Sequence, residues 1–278
     1  LEALADVDTL VFDKTGTLTR DAMVVEAIDV REGVSPDEAL AMAAALARHS
    51  LHPVSRALVV GHTNRESVPP GNRSWVCDAV TEAPGRGLSG LAASGHGGRD
   101  ARTASLRLGS AVFCAVSAQH SSGLHSYLSD EQGWLATFSL AEDLRPQAAL
   151  AIASLAELGV TVHMLSGDSV DSVARVAALA GIAHTRGACT PDDKLSCVRA
   201  LQAQGHRVAM VGDGLNDGPV LAGANVSFAF GQAVPLAQAK ADFVVLGEKL
   251  MSVVHTVKLA QRTLRIVRQN LWWALVYN

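Results

Sequence analysis

Apolar and polar positions follow two regimes along this chain. Near the start, and again through the second half, short and nearly continuous apolar runs recur at residues 7–12, 160–165, 207–211, 226–230 and 242–246. Strands of this kind belong to parallel sheets covered by helices on both faces, so the runs predict a doubly wound α/β domain. Helix signals fill the gaps. Pro146 and Gly159 bracket a helix reaching Leu158, Ser166-Gly167-Asp168 precedes another over Val170 to Ala180, and Thr190-Pro191 opens a third. From Leu250 onward the pattern reads as one helix.

Between the first and second of these runs the regime changes. Met23 to Val30 alternates as a strand, Ser35-Pro36-Asp37-Glu38 starts a helix that runs through Ala47, and Pro53 begins another over Val54 to Val60. A polar stretch from His62 to Arg73 precedes strand-like pieces at Trp75 to Val80 and Leu88 to Ala93, and His96 to Arg102 reads as an exposed hairpin tip. Trp134 to Leu140 is the strand that brings the chain back. An insertion of about 115 residues is a normal domain size. The expected division is therefore residues 1–22 and 140–256 as one discontinuous domain, 23–139 as an inserted α+β domain, and 257–278 as a helix leading into a truncated membrane segment. In that helix Lys258, Arg262, Arg265 and Arg268 precede the tryptophan-bearing run from Asn270 to Asn278, which is what a cytoplasmic membrane boundary looks like. The apolar run is far short of the roughly 20 residues that span a bilayer. The abrupt start without methionine suggests an excised fragment.

Composition narrows the partners. A chain of 278 residues with 49% apolar content can pack one or two domains, and its net charge of -4 argues against a nucleic-acid binder. Cys77, Cys114, Cys189 and Cys197 form no C-x-x-C pair, so neither a zinc knuckle nor a disulfide framework is indicated, and reduced, mostly core cysteines are expected.

The candidate chemistry sits at strand ends. Asp13-Lys14-Thr15-Gly16-Thr17-Leu18-Thr19 follows the first apolar run, so the Asp13 carboxylate points toward the crevice where open α/β sheets bind ligands. A carboxylate there can accept a phosphoryl group, while Gly16 permits a sharp turn and Lys14 and the threonines supply charge and hydroxyls. Ser166-Gly167-Asp168 ends the 160–165 strand facing the same crevice, and Lys194 lies in the first turn of a helix, where a nearby anion would rationalise its charge. After the 207–211 strand comes Gly212-Asp213-Gly214-Leu215-Asn216-Asp217-Gly218-Pro219, whose two carboxylates make a hard oxygen site suited to Mg2+. His49 and His52 invite a metal reading but lack a third ligand. Gly85-Arg86-Gly87-Leu88-Ser89-Gly90 does not open a convincing helix, which argues against a dinucleotide fingerprint.

These motifs, in this order, resemble the catalytic segment of the heavy-metal, type IB, P-type ATPases over nearly the whole chain. The heptad resembles their phosphorylation motif, Ser166-Gly167-Asp168 their Thr-Gly-Asp, Pro191 to Lys194 their Pro-x-x-Lys, and residues 212–217 their hinge motif. Ser50-Leu51-His52-Pro53 is similar to their Ser-Glu-His-Pro nucleotide signature, with Leu51 where glutamate is commoner, and Leu108-Gly109-Ser110 to a degenerate copy of their Gly-Asn element. The resemblance implies a haloacid-dehalogenase-like phosphorylation domain with an inserted nucleotide domain. It implies Asp13 as nucleophile, with Lys14, Thr15, Ser166, Gly167, Asp168, Lys194 and Asn216 as catalytic companions. It further implies ATP held at His52, Pro53, Gly85, Gly87 and Gly90, and Mg2+ at Asp13, Thr15, Asp213 and Asp217. The absent actuator and transmembrane domains of the same polypeptide would be its partners, at the cytoplasmic face of a membrane. Asn270 followed by Tyr277-Asn278 resembles the Asn-x6-Tyr-Asn signature of copper(I)-transporting members, which gives a weak transported-ion site at Tyr277 and Asn278. Ser166 and Phe228-Ala229-Phe230 resemble the branch serving respiratory-oxidase assembly. Two other classes remain open: a free-standing phosphatase of the same fold, disfavoured because Thr15 stands where such phosphatases carry a second aspartate, and a non-catalytic nucleotide-binding module.

Overall fold

The structure, a computed structural model, describes residues 1–65, 75–94, 102–117, 123–213, 218–230, 241–247 and 249–277. The chain divides into two compact units: Leu1–Asp21 with Leu144–Asn278, and Ala22–Asp143.

A short helix α1 (Glu2–Ala5) leads into β1 (Thr9–Asp13) and then a tight irregular turn over Lys14–Leu18. The second unit begins along β2 (Thr19–Val30) and continues through α2 (Pro36–Ala47), α3 (Pro53–Arg65), β3 (Trp75–Ala83), β4 (Gly87–Ser94), β5 (Arg102–Gly109), β6 (Leu124–Asp130) and β7 (Gly133–Leu144). The first unit resumes with α4 (Ala148–Glu157), β8 (Thr161–Leu165), α5 (Val170–Ala180), β9 (His184–Arg186), α6 (Pro191–Ala203), β10 (Val208–Gly212), α7 (Gly218–Gly223), β11 (Val226–Phe230), β12 (Phe243–Val245) and α8 (Met251–Tyr277).

In the first unit six strands form one sheet in the order β12-β11-β10-β1-β8-β9, with every pair parallel. Each connection therefore needs a crossover, and α4, α5, α6 and α7 lie in those leading to β8, β9, β10 and β11. From β1 the chain steps to β8 and β9 on one side, then crosses back to β10, β11 and β12 on the other. The reversal lies beside β1, and ligands of open α/β sheets bind at such a point, outside the carboxyl ends of the strands. The continuous apolar runs are explained by burial on both faces: Leu10, Val11, Phe12, Val211, Phe228 and Phe230 are fully buried.

Local signals set the helix ends. Thr190 and Asp193 form a reciprocal capping box at α6, Ser169 caps α5, and Gly181 ends α5 in a left-handed conformation. One signal reads differently in space. Pro146 does not open α4; Gln147 intervenes with a left-handed φ of 66°, and the helix begins at Ala148.

In the second unit the six strands run β2-β7-β6-β5-β4-β3, with antiparallel pairing from β3 through β7. α2 belongs to the core of this unit, where Leu40, Leu46 and Leu58 meet Trp75, Leu106, Leu128 and Phe138. Strands β5 and β6 are additions to the sequence reading, and β3 reaches Ala83 rather than Val80. The proposed hairpin tip at 96–102 falls almost wholly outside the described residues. Among the described residues no helix is long and apolar enough to cross a membrane, although α8 exposes Leu271, Trp272, Trp273, Leu275 and Tyr277.

Candidate active site

Three neighbouring strands of the parallel sheet end in polar residues at one edge. Asp13 is the last residue of β1, Ser166 follows β8, and Asp213 follows β10. Asp13 is only 6% exposed, and its Oδ1 accepts a 2.7 Å hydrogen bond from Nζ of Lys194, itself 6% exposed on the first turn of α6. A buried carboxylate and ammonium each lose hydration, which close pairing offsets only in good geometry. Lys194 is thus delivered to Asp13 from 181 residues away, instead of standing unpaired at the surface.

A second buried cation lies beside the first pair. Lys14 is 2% exposed; its Nζ lies 2.7 Å from Oδ2 of Asp168 and donates to Oγ of Ser172 at 3.2 Å. The hydroxyls of Ser166 and Thr15 donate to the same Asp168 oxygen at 3.0 and 3.1 Å. Partial burial pushes the Asp168 carboxyl up, but the Lys14 ammonium and these two hydroxyls outweigh it and hold the group below its ordinary value. Asp168 therefore stays ionised near neutrality and fixes Lys14. Gly167 packs against the backbone, since a Cβ there would lie 3.3 Å from the Cys189 carbonyl oxygen.

The turn after Asp13 depends on a residue the sequence reading passed over. Buried Arg145 donates from Nε to the Thr17 carbonyl and from Nη2 to the Gly16 carbonyl, both at 2.8 Å, with its guanidinium 5.0 Å from the Phe230 ring centroid. The buried setting, carbonyl pairing and aromatic contact appear only in three dimensions; the one sequence hint was a charge just before Pro146. Gly16 adopts φ of 71°, and a Cβ on it would sit 2.9 Å from Oδ2 of Asp213. A glycine is required there both for the conformation and for the room it leaves the carboxylate.

Asp13 and Asp213 bring hard oxygen donors to this edge, a set that fits Mg2+, which takes one or two carboxylates and fills its remaining positions with water or phosphate. Among the described residues no group of three or more His, Cys, Asp or Glu side chains forms a metal site. The Thr15 hydroxyl is directed to Asp168. Asn216 and Asp217 lie outside the described residues, as does Asn278; Tyr277 is the exposed last residue of α8.

The second unit holds a separate cavity of about 270 Å3, lined in part by Ser50, His52, Glu82, Gly85, Gly87 and Gly109. His52 caps the start of α3: its Nδ1 accepts the Val54 N–H at 3.3 Å, which places the proton of the neutral ring on Nε2. Gly87 has a structural reason of its own, because a Cβ there would lie 2.2 Å from the Leu108 carbonyl oxygen where β4 and β5 approach closely. Two of the five expected nucleotide residues stand apart. Pro53 is the first residue of α3 and is not part of the cavity lining, and Gly90 packs beneath Leu46 and Val80, with both contacts at 3.1 Å from a built Cβ.

A parallel sheet with an aspartate at its switch point and two buried lysines around it defines an α/β domain equipped to handle phosphoryl groups. The chain belongs to the haloacid dehalogenase-like hydrolase family, whose model matches residues 7–225, with a second model of the same description matching residues 195–256. Among its relatives, a probable copper-transporting ATPase SynA of Synechococcus elongatus is 36% identical over all of this chain and 34% of its own length. The nitrogen fixation protein FixI of Bradyrhizobium diazoefficiens is 36% identical over all of this chain and 36% of its own. A copper-exporting P-type ATPase of Mycobacterium tuberculosis is 34% identical, again with 100% and 36% covered. The chain thus spans about a third of the length of the curated relatives it matches. Among solved structures, a zinc-transporting PIB-type ATPase in the E2.Pi state superposes with a TM-score of 0.82 at 28% identity, covering 99% of this chain and 44% of that one. The catalytic domain of the CPx-ATPase CopB-B superposes at 0.60 with 25% identity, covering 94% and 92%.

Proposed function

We propose that this chain is the cytoplasmic catalytic segment of a heavy-metal P-type ATPase, in which ATP held by the second unit phosphorylates Asp13. The observation that carries the reading is the buried Asp13 carboxylate at the carboxyl end of the central strand, bonded to Lys194 at 2.7 Å. Asp13 attacks the γ-phosphorus while the bond to the bridging oxygen breaks, and ADP leaves with the electron pair. Lys194 is shared between the Asp13 carboxylate and the incoming phosphoryl oxygens, and Lys14 lends a second positive charge held in place by Asp168. Asp13, Thr15, Asp213 and Asp217 are the residues that would hold Mg2+, which would supply positive charge against the repulsion between the carboxylate and the triphosphate. Ser166 and Asp168 keep the loop after β8 in shape through their mutual hydrogen bonds.

Thr15 favours this reading over a free-standing phosphatase. Its hydroxyl already donates to Asp168 and cannot serve as a general base near pH 7, so the aspartyl phosphate persists. The buried lysine pairs speak against a non-catalytic nucleotide module, which has no use for charges held at Asp13. In the whole polypeptide the phosphoenzyme would drive an ion across a membrane, with actuator and transmembrane domains as partners and this segment on the cytoplasmic side. The names of the relatives and the Asn270, Tyr277 and Asn278 pattern support copper(I) as that ion. Incubating the chain with radiolabelled MgATP tests the core of the proposal: acid-stable, hydroxylamine-labile label is expected on the parent chain and none on Asp13→Asn. Label persisting in that variant would remove Asp13 from the role.

A further inference from the structure

The cavity in the second unit contains a carboxylate that the motif reading never assigned. Position 51, between Ser50 and His52, carries a leucine that is 91% exposed and no part of the cavity lining. The carboxylate in the cavity is instead Glu82, from the far end of β3. A register irregularity between Asp78 and Thr81, with Ala79 at a φ of 52°, explains its direction. Trp75 and Cys77 face the helical core, strict alternation would keep 79 and 81 on that face, and one extra residue moves Val80 and then Glu82 onto it. Val80 duly packs on that core.

Glu82 is tied to the residue that caps α3. Its Oε1 accepts the Ser50 hydroxyl at 3.0 Å, the Ser50 Oγ accepts the His52 N–H at 3.2 Å, and the His52 ring accepts the Val54 N–H at 3.3 Å. Among the described residues no salt bridge claims Glu82. Glycine backbone and apolar side chains such as Val54, Leu88 and Leu108 form much of the cavity wall, a setting for a flat ring, while Arg86, His125 and serine hydroxyls also line it. Glu82 is exposed in the empty cavity, but a ring covering this wall would take water from its carboxylate, and a donor on that ring would offset the loss.

We infer that Glu82 is the residue that selects adenine, accepting a hydrogen bond from its N6 amino group. Guanine offers the adjacent N1–H and N2–H donors, which call for a carboxylate presented by both oxygens at once. With Oε1 already accepting from Ser50, Oε2 is the more open acceptor, which suits the single N6 amino group better than the paired donors of guanine. The inference rests on the proposal that this cavity holds ATP.

Calorimetric titration of the whole chain with ATP, GTP and purine riboside 5′-triphosphate, which lacks only the N6 amino group, separates the two claims. The parent chain is expected to bind ATP on the order of tenfold more tightly than the analogue, the value of one hydrogen bond to a charged group. In Glu82→Ala that ratio should fall to within about twofold while affinity for the analogue stays unchanged. Glu82 is an exposed strand residue, and circular dichroism confirms the fold of the variant. A ratio preserved in Glu82→Ala, or tighter binding of GTP than ATP by the parent, overturns the role of Glu82 and leaves the nucleotide reading standing. Failure of the parent to bind any of the three overturns both.

Discussion

The two units prepare for ligands in opposite ways. At the strand ends of the first, charges are already paired and three of the four are buried: Asp13 with Lys194, and buried Lys14 with half-exposed Asp168, both at 2.7 Å. In the second, much of the cavity wall is glycine backbone, and its most polar side chains, His52, Glu82 and Arg86, are exposed, although Ser55 and Ser126 in the same lining are buried. Group transfer needs charge fixed before the reagent arrives, because reorganising dipoles at the moment of reaction adds to the barrier. Recognition of a flat ring needs a fitted slot and a few directed polar atoms. The same chain thus buries both lysines where chemistry is expected and leaves the charged side chains of its cavity exposed where binding is expected.

Breaking the first arrangement should have the largest effect. Lys194→Met leaves the Asp13 carboxylate buried beside an apolar side chain, a loss of about 3–5 kcal/mol when one member of a buried pair is removed. Hydrogen exchange should quicken by two orders of magnitude or more at the amides of β1 and β10, with those of β3 to β5 unaffected. Adding Asp13→Asn to Lys194→Met should restore most of the protection, since neither charge then remains. Unchanged exchange in the single variant would mean that the pair contributes nothing to the fold.

Two glycines with nearly the same backbone sharpen the contrast. Gly16 has φ of 71° and Gly85 of 70°, but a Cβ on Gly16 meets the Asp213 carboxylate at 2.9 Å while one on Gly85 meets nothing within 4 Å. Alanine at either position pays the left-handed penalty of roughly 1–2 kcal/mol. Only Gly16→Ala should also displace Asp213, raising the Mg2+ concentration needed for half-maximal phosphorylation by about tenfold, as expected of a disturbed ligand or its support. Gly85→Ala should leave that concentration as it was. Equal Mg2+ requirements in the two variants would detach Asp213 from metal binding.

How much of this was legible in the sequence depended on what each segment buries. β1, β8, β10 and β11 could be read because both faces of a covered parallel sheet must be apolar, and that leaves a continuous run. The fold class followed from their alternation with helices. β5, with the sequence Arg-Thr-Ala-Ser-Leu-Arg-Leu-Gly, is a half-solvated antiparallel strand in which only alternate positions need be apolar, and β6 buries the polar Ser126 and Ser129 beside Tyr127 and Leu128, so neither left a clear apolar signal. β9 is three exposed residues and owes its pairing wholly to β8. The residues at the strand ends were visible as a constellation of polar types, but their pairings were not: nothing local says that Lys194 meets Asp13 while Lys14 meets Asp168. Arg145 was invisible as a brace for the turn because its partners are the carbonyls of Gly16 and Thr17. Glu82 was hidden by a bulge that only the register of β3 against β4 reveals.

The smallest expected effect concerns acid. His163 on β8 pairs in register with His184 on β9, and the two rings stack with centroids 4.7 Å apart and an interplanar angle of 17°. Burial holds the His163 pKa below its usual value, and the neighbouring His184 and His206 push in the same direction, while His206 itself lies 3.1 Å from Oδ1 of Asp8. A histidine depressed in the folded state binds its proton more readily when the chain unfolds. Stability should therefore be level above the unfolded value near 6.5 and decline as pH falls from there toward the folded pKa. Nothing comparable follows from Asp168, whose depressed carboxyl acts only well below pH 5: its contribution is complete above the unfolded value near 3.9 and is lost as pH falls through the folded one. Urea unfolding of the parent at pH 7, 6 and 5 should show a falling midpoint, and His163→Gln, which keeps size and polarity without the proton, should flatten that slope. A variant with the parent's slope would place the acid sensitivity elsewhere than in the stacked pair.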